Sequence, residues 1–416
     1  MLADKVILAK NCEYSSDTSL TGLNNNQIIV GGSGSGKTMS ITEPCLLHTK
    51  NRNLIITATK RRIVDKYKSL LKNRGYNVGI LDFTNYNNST IGYDPLKFVR
   101  TDEDILWLAK SVVLANPKKS QQNKSDPYWD EASVSLISAL IGYVKLKNPN
   151  NASFADVIDM YKNLRLFYKL SNVETNYDYM FRELETIFPG NFASANWENF
   201  CHLPSKTASC VMSTLGVTIN YLFNNELLNM MRKDNQIDFK TFAQRKNVLF
   251  LITSPVNTAL SNLVSVFYSN AMKELFEFAE SRENGKLPIP IHIICDDFAT
   301  GAPIPDFAQY ISIIREKDLS VTMLCQSETQ LESLYSHSEA VTIINNCDTY
   351  VFTGGMDIKT AQSVGQRLNK PIDEVLSMPL GTFVVFRRGE TAATVSRYPI
   401  LQDPEYQNIS EDYQIA

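Results

Sequence analysis

Short, uninterrupted runs of apolar and β-branched residues recur along the chain at Gln27–Val30, Asn53–Thr57, Val78–Asp82, Val248–Thr253, Ile291–Cys295, Val321–Cys325, Thr349–Thr353 and Thr382–Arg387. Runs that lack a polar alternate predict strands buried on both faces, as in a parallel sheet. Between several of them the apolar period lengthens. Leu260, Leu263, Val264, Phe267, Ala271 and Leu275 follow the three-and-four spacing of one helical face. Strands alternating with helices predict an α/β fold with parallel crossovers. From about Thr101 to Asp238 the strand pattern stops, and segments such as Ala132–Leu146 and Ile158–Leu170 carry helical periodicity instead. The expected organisation is an α/β domain made of residues 1–100 and 236–416, interrupted by an all-helical domain at 101–235. The approach to the insertion, Asn116–Asp126, is polar and basic with an Asn-Pro step, and reads as a mobile surface loop. The acidic C-terminal residues Asp403, Glu405, Glu411 and Asp412 read as a solvated tail.

Composition narrows the function classes. A chain of 416 residues with 44% hydrophobic and 20% charged positions is a folded protein with room for more than one structural unit. Its 41 Lys and Arg against 44 Asp and Glu leave a net charge of -3, so any contact with nucleic acid must be local. The 7 cysteines form no CxxC pair and the 4 histidines no HExxH pair, so neither a disulfide framework nor a structural metal is expected. No apolar run reaches the length of a membrane span, and the opening MLADKVILAK lacks the pattern of a signal peptide. The expectation is a cytoplasmic protein whose membrane contact, if any, comes through a partner.

Directly after the first long apolar run comes Gly31-Gly32-Ser33-Gly34-Ser35-Gly36-Lys37-Thr38, a complete GxxxxGK[ST] pattern, with an expected helix from Met39. Glycines let the backbone wrap so that its N–H groups face a nucleotide's phosphates. The helix start adds positive potential, Lys37 bridges β and γ oxygens, and Thr38 ligates magnesium. The nucleotide-binding candidates are therefore Gly31, Gly32, Ser33, Gly34, Ser35, Gly36, Lys37, Thr38 and Met39. Such a loop needs a carboxylate at the end of another strand, and Ile291–Cys295 runs straight into Asp296 and Asp297. Asp296 is expected to support the metal and Asp297 to polarise water. Asn123-Lys124-Ser125-Asp126 spells a guanine-recognition pattern, but it precedes the carboxylate strand and sits in a polar loop. Asn369–Asp373 comes late enough but is one residue too long, so ATP is the expected nucleotide.

With these residues in view the chain resembles the cytoplasmic part of the type IV secretion coupling proteins, the conjugative DNA-transfer ATPases. The resemblance rests on the P-loop strand and on Lys72–Asp82, Ser89–Leu96, Asp126–Tyr143, Leu287–Gly301, Ile314–Leu331 and Asn346–Gly355, in that order. It implies a RecA-like nucleotide-binding domain with a parallel-rich central sheet, interrupted by an all-helical domain and assembled as a homo-hexamer with ATP between neighbours. It implies passage of single-stranded DNA with its relaxase, or of protein substrates, into the type IV secretion channel at the inner face of the membrane. By the same resemblance Gln326 is a γ-phosphate sensor and Arg315 an arginine finger, beside catalytic Lys37 and Asp297.

The chain departs from the family pattern in ways that bear on function. The second carboxylate is usually Glu, and Asp297 is one methylene shorter, which withdraws it from the attacking water and implies slow turnover. Where relatives usually end a strand in Asp-Pro-Lys-Gly, this chain reads Thr57-Ala58-Thr59-Lys60-Arg61-Arg62. The N-terminal membrane helices common in the family are missing. Between Lys50 and Arg74 lie nine Lys and Arg against Asp65 alone. Lys60, Arg61 and Arg62 are thus either part of a solvated helix face or contacts to a nucleic-acid backbone. The leading functional expectation is a Mg-ATP-dependent coupling motor. The alternative is an ATP-binding, weakly hydrolysing docking module that recruits relaxase or effector proteins, and a septal-type DNA translocase ranks third.

Overall fold

A computed structural model describes residues 4–115, 127–168, 175–254, 260–298 and 301–415. The Asn116–Asp126 segment, with its Asn123–Asp126 motif, lies outside the described residues. Two compact units are present: one comprises Met1–Thr90, Asp238–Val256 and Ala271–Ala416, the other Ile91–Ile237 and Asn257–Asn270. No helix among the described residues is long and apolar enough to cross a membrane.

The first unit is α/β. An antiparallel hairpin of β1 (Lys5–Ala9) and β2 (Cys12–Ser15) precedes a nine-stranded sheet. Its strands are β3 (Gln27–Val30), β4 (Asn53–Ala58), β5 (Asn77–Asp82), β6 (Asn247–Ile252), β7 (Ile291–Cys295), β8 (Leu319–Cys325), β9 (Thr349–Phe352), β10 (Thr382–Arg387) and β11 (Ala393–Ser396). They lie in the order β11-β10-β9-β3-β8-β7-β4-β6-β5. From β9 to β5 every pairing is parallel. Strands β3, β4, β6 and β7 are buried along their whole length, the polar Gln27, Asn53, Asn247 and His292 included. This is the RecA-like arrangement, with β8 standing between β3 and β7.

The expectation that Thr382–Arg387 is parallel is corrected, because β10 runs antiparallel to β9 and β11 antiparallel to β10. An apolar run carries no direction of its own. The connection from β9 contains the helices Ile358–Leu368 and Ile372–Leu376, joined through Asn369 in left-handed conformation. An out-and-back pair returns the chain to the edge it left, whereas a single crossover helix would carry it to the other. Strands β2 and β11 carry no run of the kind read from the sequence, and β11 is nowhere fully buried; β1 does carry one, Val6–Ala9, which the sequence reading did not include.

The expected solvated tail is corrected at Asp403 and Glu405, while the side chains of Glu411 and Asp412 lie outside the described residues. Asp403 is buried and accepts from Tyr398 Oη at 2.6 Å and pairs with His48 Nε2 at 2.9 Å, while Glu405 accepts from Arg74 at 2.5 Å. Ile400 and Tyr406 pack into the core alongside, which gives these charges fixed partners.

In the second unit the described elements from Asp102 to Met231 are helices. Tyr161 is buried and donates to Met212 O at 2.5 Å, whereas Tyr128 is exposed and lies edge-on to Trp129. Asp94 ties two segments together by accepting from Leu96 N at 2.9 Å and from Phe154 N at 3.1 Å. Burial pushes its carboxyl up to about 6, against the opposing pull of those hydrogen bonds. The folded state therefore takes up this proton more tightly than the unfolded chain, so the contribution of Asp94 to stability falls as pH rises from about 4 to about 6 and is flat above. We expect the stability difference between the wild type and Asp94→Asn, measured by urea unfolding, to shift by on the order of 1–3 kcal/mol across that window. A difference independent of pH would show that Asp94 is not held protonated.

Candidate nucleotide site

In a parallel sheet the C-terminal strand ends gather at one edge, and here the register places Val30 opposite both Cys325 and Phe352. The loop after β3 leaves between the ends of β8 and β9. Gly31 N donates to Cys325 O at 3.1 Å and Gly32 N to Gly354 O at 2.8 Å. Ser35 Oγ lies 2.7 Å from Thr353 Oγ1. Gly34 and Gly36 take φ values of 77° and 89°, which residues with a β-carbon rarely adopt. Such left-handed steps turn successive N–H groups toward a common centre, the geometry that binds anions.

The helix expected from Met39 begins with one wide turn over Thr38–Thr42 before the α-helix Glu43–His48. Pro44 has no N–H to give the carbonyl four residues back, and Glu43 N bonds instead to Thr38 O. The wider turn stands directly behind Lys37 and Thr38.

Lys37 is buried, and its Nζ donates to Gly31 O at 2.5 Å and Gly32 O at 3.0 Å. Burial lowers its pKa, opposed by the charges of Asp297 and Asp296. Across β8, Asp296 Oδ2 accepts from Thr38 Oγ1 at 2.8 Å. Burial raises the Asp296 pKa, and the Thr38 hydrogen bond opposes it. A cation held by these two oxygens would reverse that shift. Asp297 is half-buried with φ 53°, a left-handed position that costs about 1 kcal/mol for a residue with a β-carbon. Its N–H donates to Asp296 Oδ1 at 3.2 Å, so the turn stacks the two carboxylates on consecutive residues.

Other expected site residues are placed as follows. Gln326 follows the last residue of β8 and is exposed at the P-loop edge, its N–H donating to Gln330 Oε1 at 3.0 Å. Arg315 lies in the short turn Ile314–Lys317 that precedes β8, hence at the opposite edge, and donates to Gly22 O at 2.5 Å. The seven residues of β8 put about 20 Å between that edge and the P-loop. Lys60 and Arg62 are exposed beyond the end of β4, while Arg61 donates to the buried Asp82 at 3.0 Å. Within the same basic stretch Arg52 faces Asp4 at 3.7 Å, Lys66 pairs with Glu43 at 3.1 Å, and Arg74 with Glu405 at 2.5 Å.

Thr353, Gly354 and Gly355 were not among the residues read from the sequence as a site, yet they form one wall of the P-loop. The signal was a Thr-Gly-Gly directly after an apolar run, which is short and common. A β-carbon on Gly31 would lie 1.9 Å from Thr353 Oγ1 and 2.8 Å from Gly354 O, so Gly31 serves close packing rather than phosphate approach.

A profile of the family described as type IV secretory system conjugative DNA transfer matches residues 5–371. No curated protein sequence matches the chain. Among solved structures, plasmid coupling protein TrwB in complex with the non-hydrolysable ATP analogue ADPNP aligns over 90% of this chain and 85% of its own, at 17% identity and a TM-score of 0.63. TrwB in complex with ADP and Mg2+ aligns over the same shares, 90% and 85%, at 18% identity and 0.61. VirB4 of Thermoanaerobacter pseudethanolicus aligns over 97% and 98%, at 11% identity and 0.58. At such identities the likeness is one of fold.

The wall around Gly31 is open to a direct check. Gly31→Ala should lower unfolding stability by about 1–3 kcal/mol through overpacking, and Thr353→Ala in the same chain should recover part of that loss. Equal stability of Gly31→Ala and wild type by urea unfolding would show that the wall yields.

Proposed function

The chain belongs to the type IV secretory system conjugative DNA transfer family, and from that premise we propose a Mg-ATP-dependent coupling ATPase that moves single-stranded DNA, or a relaxase-DNA or protein substrate, to a membrane channel. The observation that carries this reading is the 2.8 Å bond from Thr38 Oγ1 to Asp296 Oδ2, which joins the P-loop to a buried carboxylate across an intervening strand. Both are hard oxygen donors of the kind magnesium takes. Bound there, the metal supplies neutralisation of charge on the β and γ oxygens. The solved TrwB complexes with ADPNP and with ADP and Mg2+ support the same ligands here.

The chain's own groups do the rest. The backbone of Gly34, Ser35, Gly36, Lys37 and Thr38 cradles the phosphates, with Gly31, Gly32, Ser33 and Met39 flanking. Lys37 exchanges the carbonyls of Gly31 and Gly32 for phosphate oxygens. Asp297 orients the attacking water, and Gln326, at the end of the strand between the loop and the carboxylates, senses the γ-phosphate. Arg315, at the far edge of its own sheet, can complete only the site of a neighbouring copy. That placement supports a homo-hexamer with nucleotide between subunits. Membrane contact then comes through a partner in the secretion channel, at the cytoplasmic face. A second reading, an ATP-binding docking module that hydrolyses slowly, is favoured by Asp297, whose short carboxylate sits directly on the turn after β7.

Steady-state ATP turnover with and without single-stranded DNA tests the first reading. DNA-stimulated turnover should vanish in Lys37→Ala and fall by roughly 10³ in Arg315→Ala, and mixing the two variants should restore part of it. Tight, Lys37-dependent ATP binding without any turnover would leave the docking module. DNA contact is tested apart from Arg61, whose reversal would strand Asp82. The double variant Lys60→Glu, Arg62→Glu should weaken single-stranded DNA binding by roughly tenfold or more and reduce its salt slope by about 1–2. Unchanged affinity and slope would assign both residues to a solvated helix face.

A further inference from the structure

Strand β11 lies two antiparallel pairings away from β9, so it runs in the same direction as β3 and its last residue emerges at the P-loop edge. The next residue is Arg397, which lies beyond the residues matched by the family profile. Its backbone is held: Arg397 N donates to Gly381 O at 2.8 Å, and the preceding Ser396 O accepts from Lys10 N at 2.9 Å. Its stem is held as well. Gly381, with φ 83°, leaves a flat seat, and a β-carbon there would stand 3.5 Å from Arg397 Cδ and 3.6 Å from Nε. The head then reaches the P-loop, where Nη1 lies 3.7 Å from the place a β-carbon on Gly36 would occupy.

The guanidinium is exposed, and among the described residues no carboxylate pairs with it. Its neighbours in the same hairpin are engaged: Arg387 pairs with Glu390 and lies over the Tyr14 ring, and Arg388 pairs with Asp348 at 3.1 Å. At the loop itself Lys37 faces Asp296 and Asp297, so the nearest cation carries two opposing charges. A polyphosphate seated on the Gly34–Thr38 backbone would meet in Arg397 a flexible, always charged fork suited to bidentate phosphate contact.

We propose that Arg397 is a second phosphate-binding cation of this chain's own nucleotide site, delivered in cis by the β10–β11 hairpin. The inference rests on the nucleotide-site reading above and adds a ligand contact to it. It differs from the role given to Arg315, which serves a neighbouring copy.

The test is equilibrium binding by isothermal titration of ADPNP and of inorganic tripolyphosphate, which has phosphates and no base. The proteins compared are the wild type, Arg397→Ala, Arg397→Lys and Lys37→Ala. Arg397→Ala should lose roughly tenfold or more in affinity for both probes, and Arg397→Lys should recover part of the loss for both. Unchanged affinity in Arg397→Ala, with binding still abolished by Lys37→Ala, would overturn the proposal and leave the site reading intact. Loss toward ADPNP alone would place Arg397 on the base or ribose and overturn the phosphate contact. Absence of binding in the wild type would remove both readings. Because Arg397 is exposed and outside the core, its variants should keep the wild-type unfolding midpoint, which separates loss of contact from loss of fold.

Discussion

Parallel pairing forces the strand ends β3, β8, β7 and β4 to one edge, and the register fixes which residues meet there. Val30 stands opposite Cys325 and Phe352, and Cys295 opposite Thr57 and Met323. One residue further along, the loop glycines, Gln326, Thr353 and the Asp296–Asp297 pair share a rim although they are far apart in the chain. A slip of one residue in any of these pairings would turn every side chain of that strand to the other face. Close packing of differently shaped side chains on the two faces opposes the slip, so the core that stabilises the fold also sets the positions of the polar rim.

That rim is held by contacts whose electrostatic cost is visible. Lys37 and Asp296 are both buried, and burial shifts each toward its neutral form. The opposing influences are the carboxylates near Lys37 and the Thr38 hydroxyl on Asp296. His292 is a buried polar group of a different kind. That imidazole is enclosed in the sheet between Ser320 Oγ at 2.7 Å and Thr322 Oγ1 at 2.8 Å and is pushed well toward neutrality by burial. The contrast separates a polar rung that belongs to folding from a pair of charges suited to an anion and a cation arriving together.

The basic stretch from Lys50 to Arg74 shows how charge counted along a sequence divides in space. Arg52, Arg61, Lys66 and Arg74 each meet a carboxylate of the same unit, and Lys66 also lies over the Tyr406 ring. What remains outward is a smaller set, with Lys60 and Arg62 at the P-loop edge of β4. Local positive density was legible from residue types, but its free part depended on where Asp4, Glu43, Asp82 and Glu405 fold back.

Sequence alone determined the elements whose physics is local. Short runs rich in β-branched residues and bounded by turn residues favour strands buried on both faces, which is why β3, β4, β6 and β7 were readable. The GxxxxGK[ST] spacing and the Asp-Asp after an apolar run likewise state their chemistry within a few residues. Tertiary structure decided what depends on direction and on distant partners. It turned β10 antiparallel through an out-and-back helix pair, docked Asp403 and Glu405 where a solvated tail was expected, and packed Thr353 against Gly31. It also brought Arg397 to the P-loop from the other end of the chain. An apolar run has no direction and an isolated charge has no partner until the sheet order is chosen, because both are properties of pairing rather than of residues.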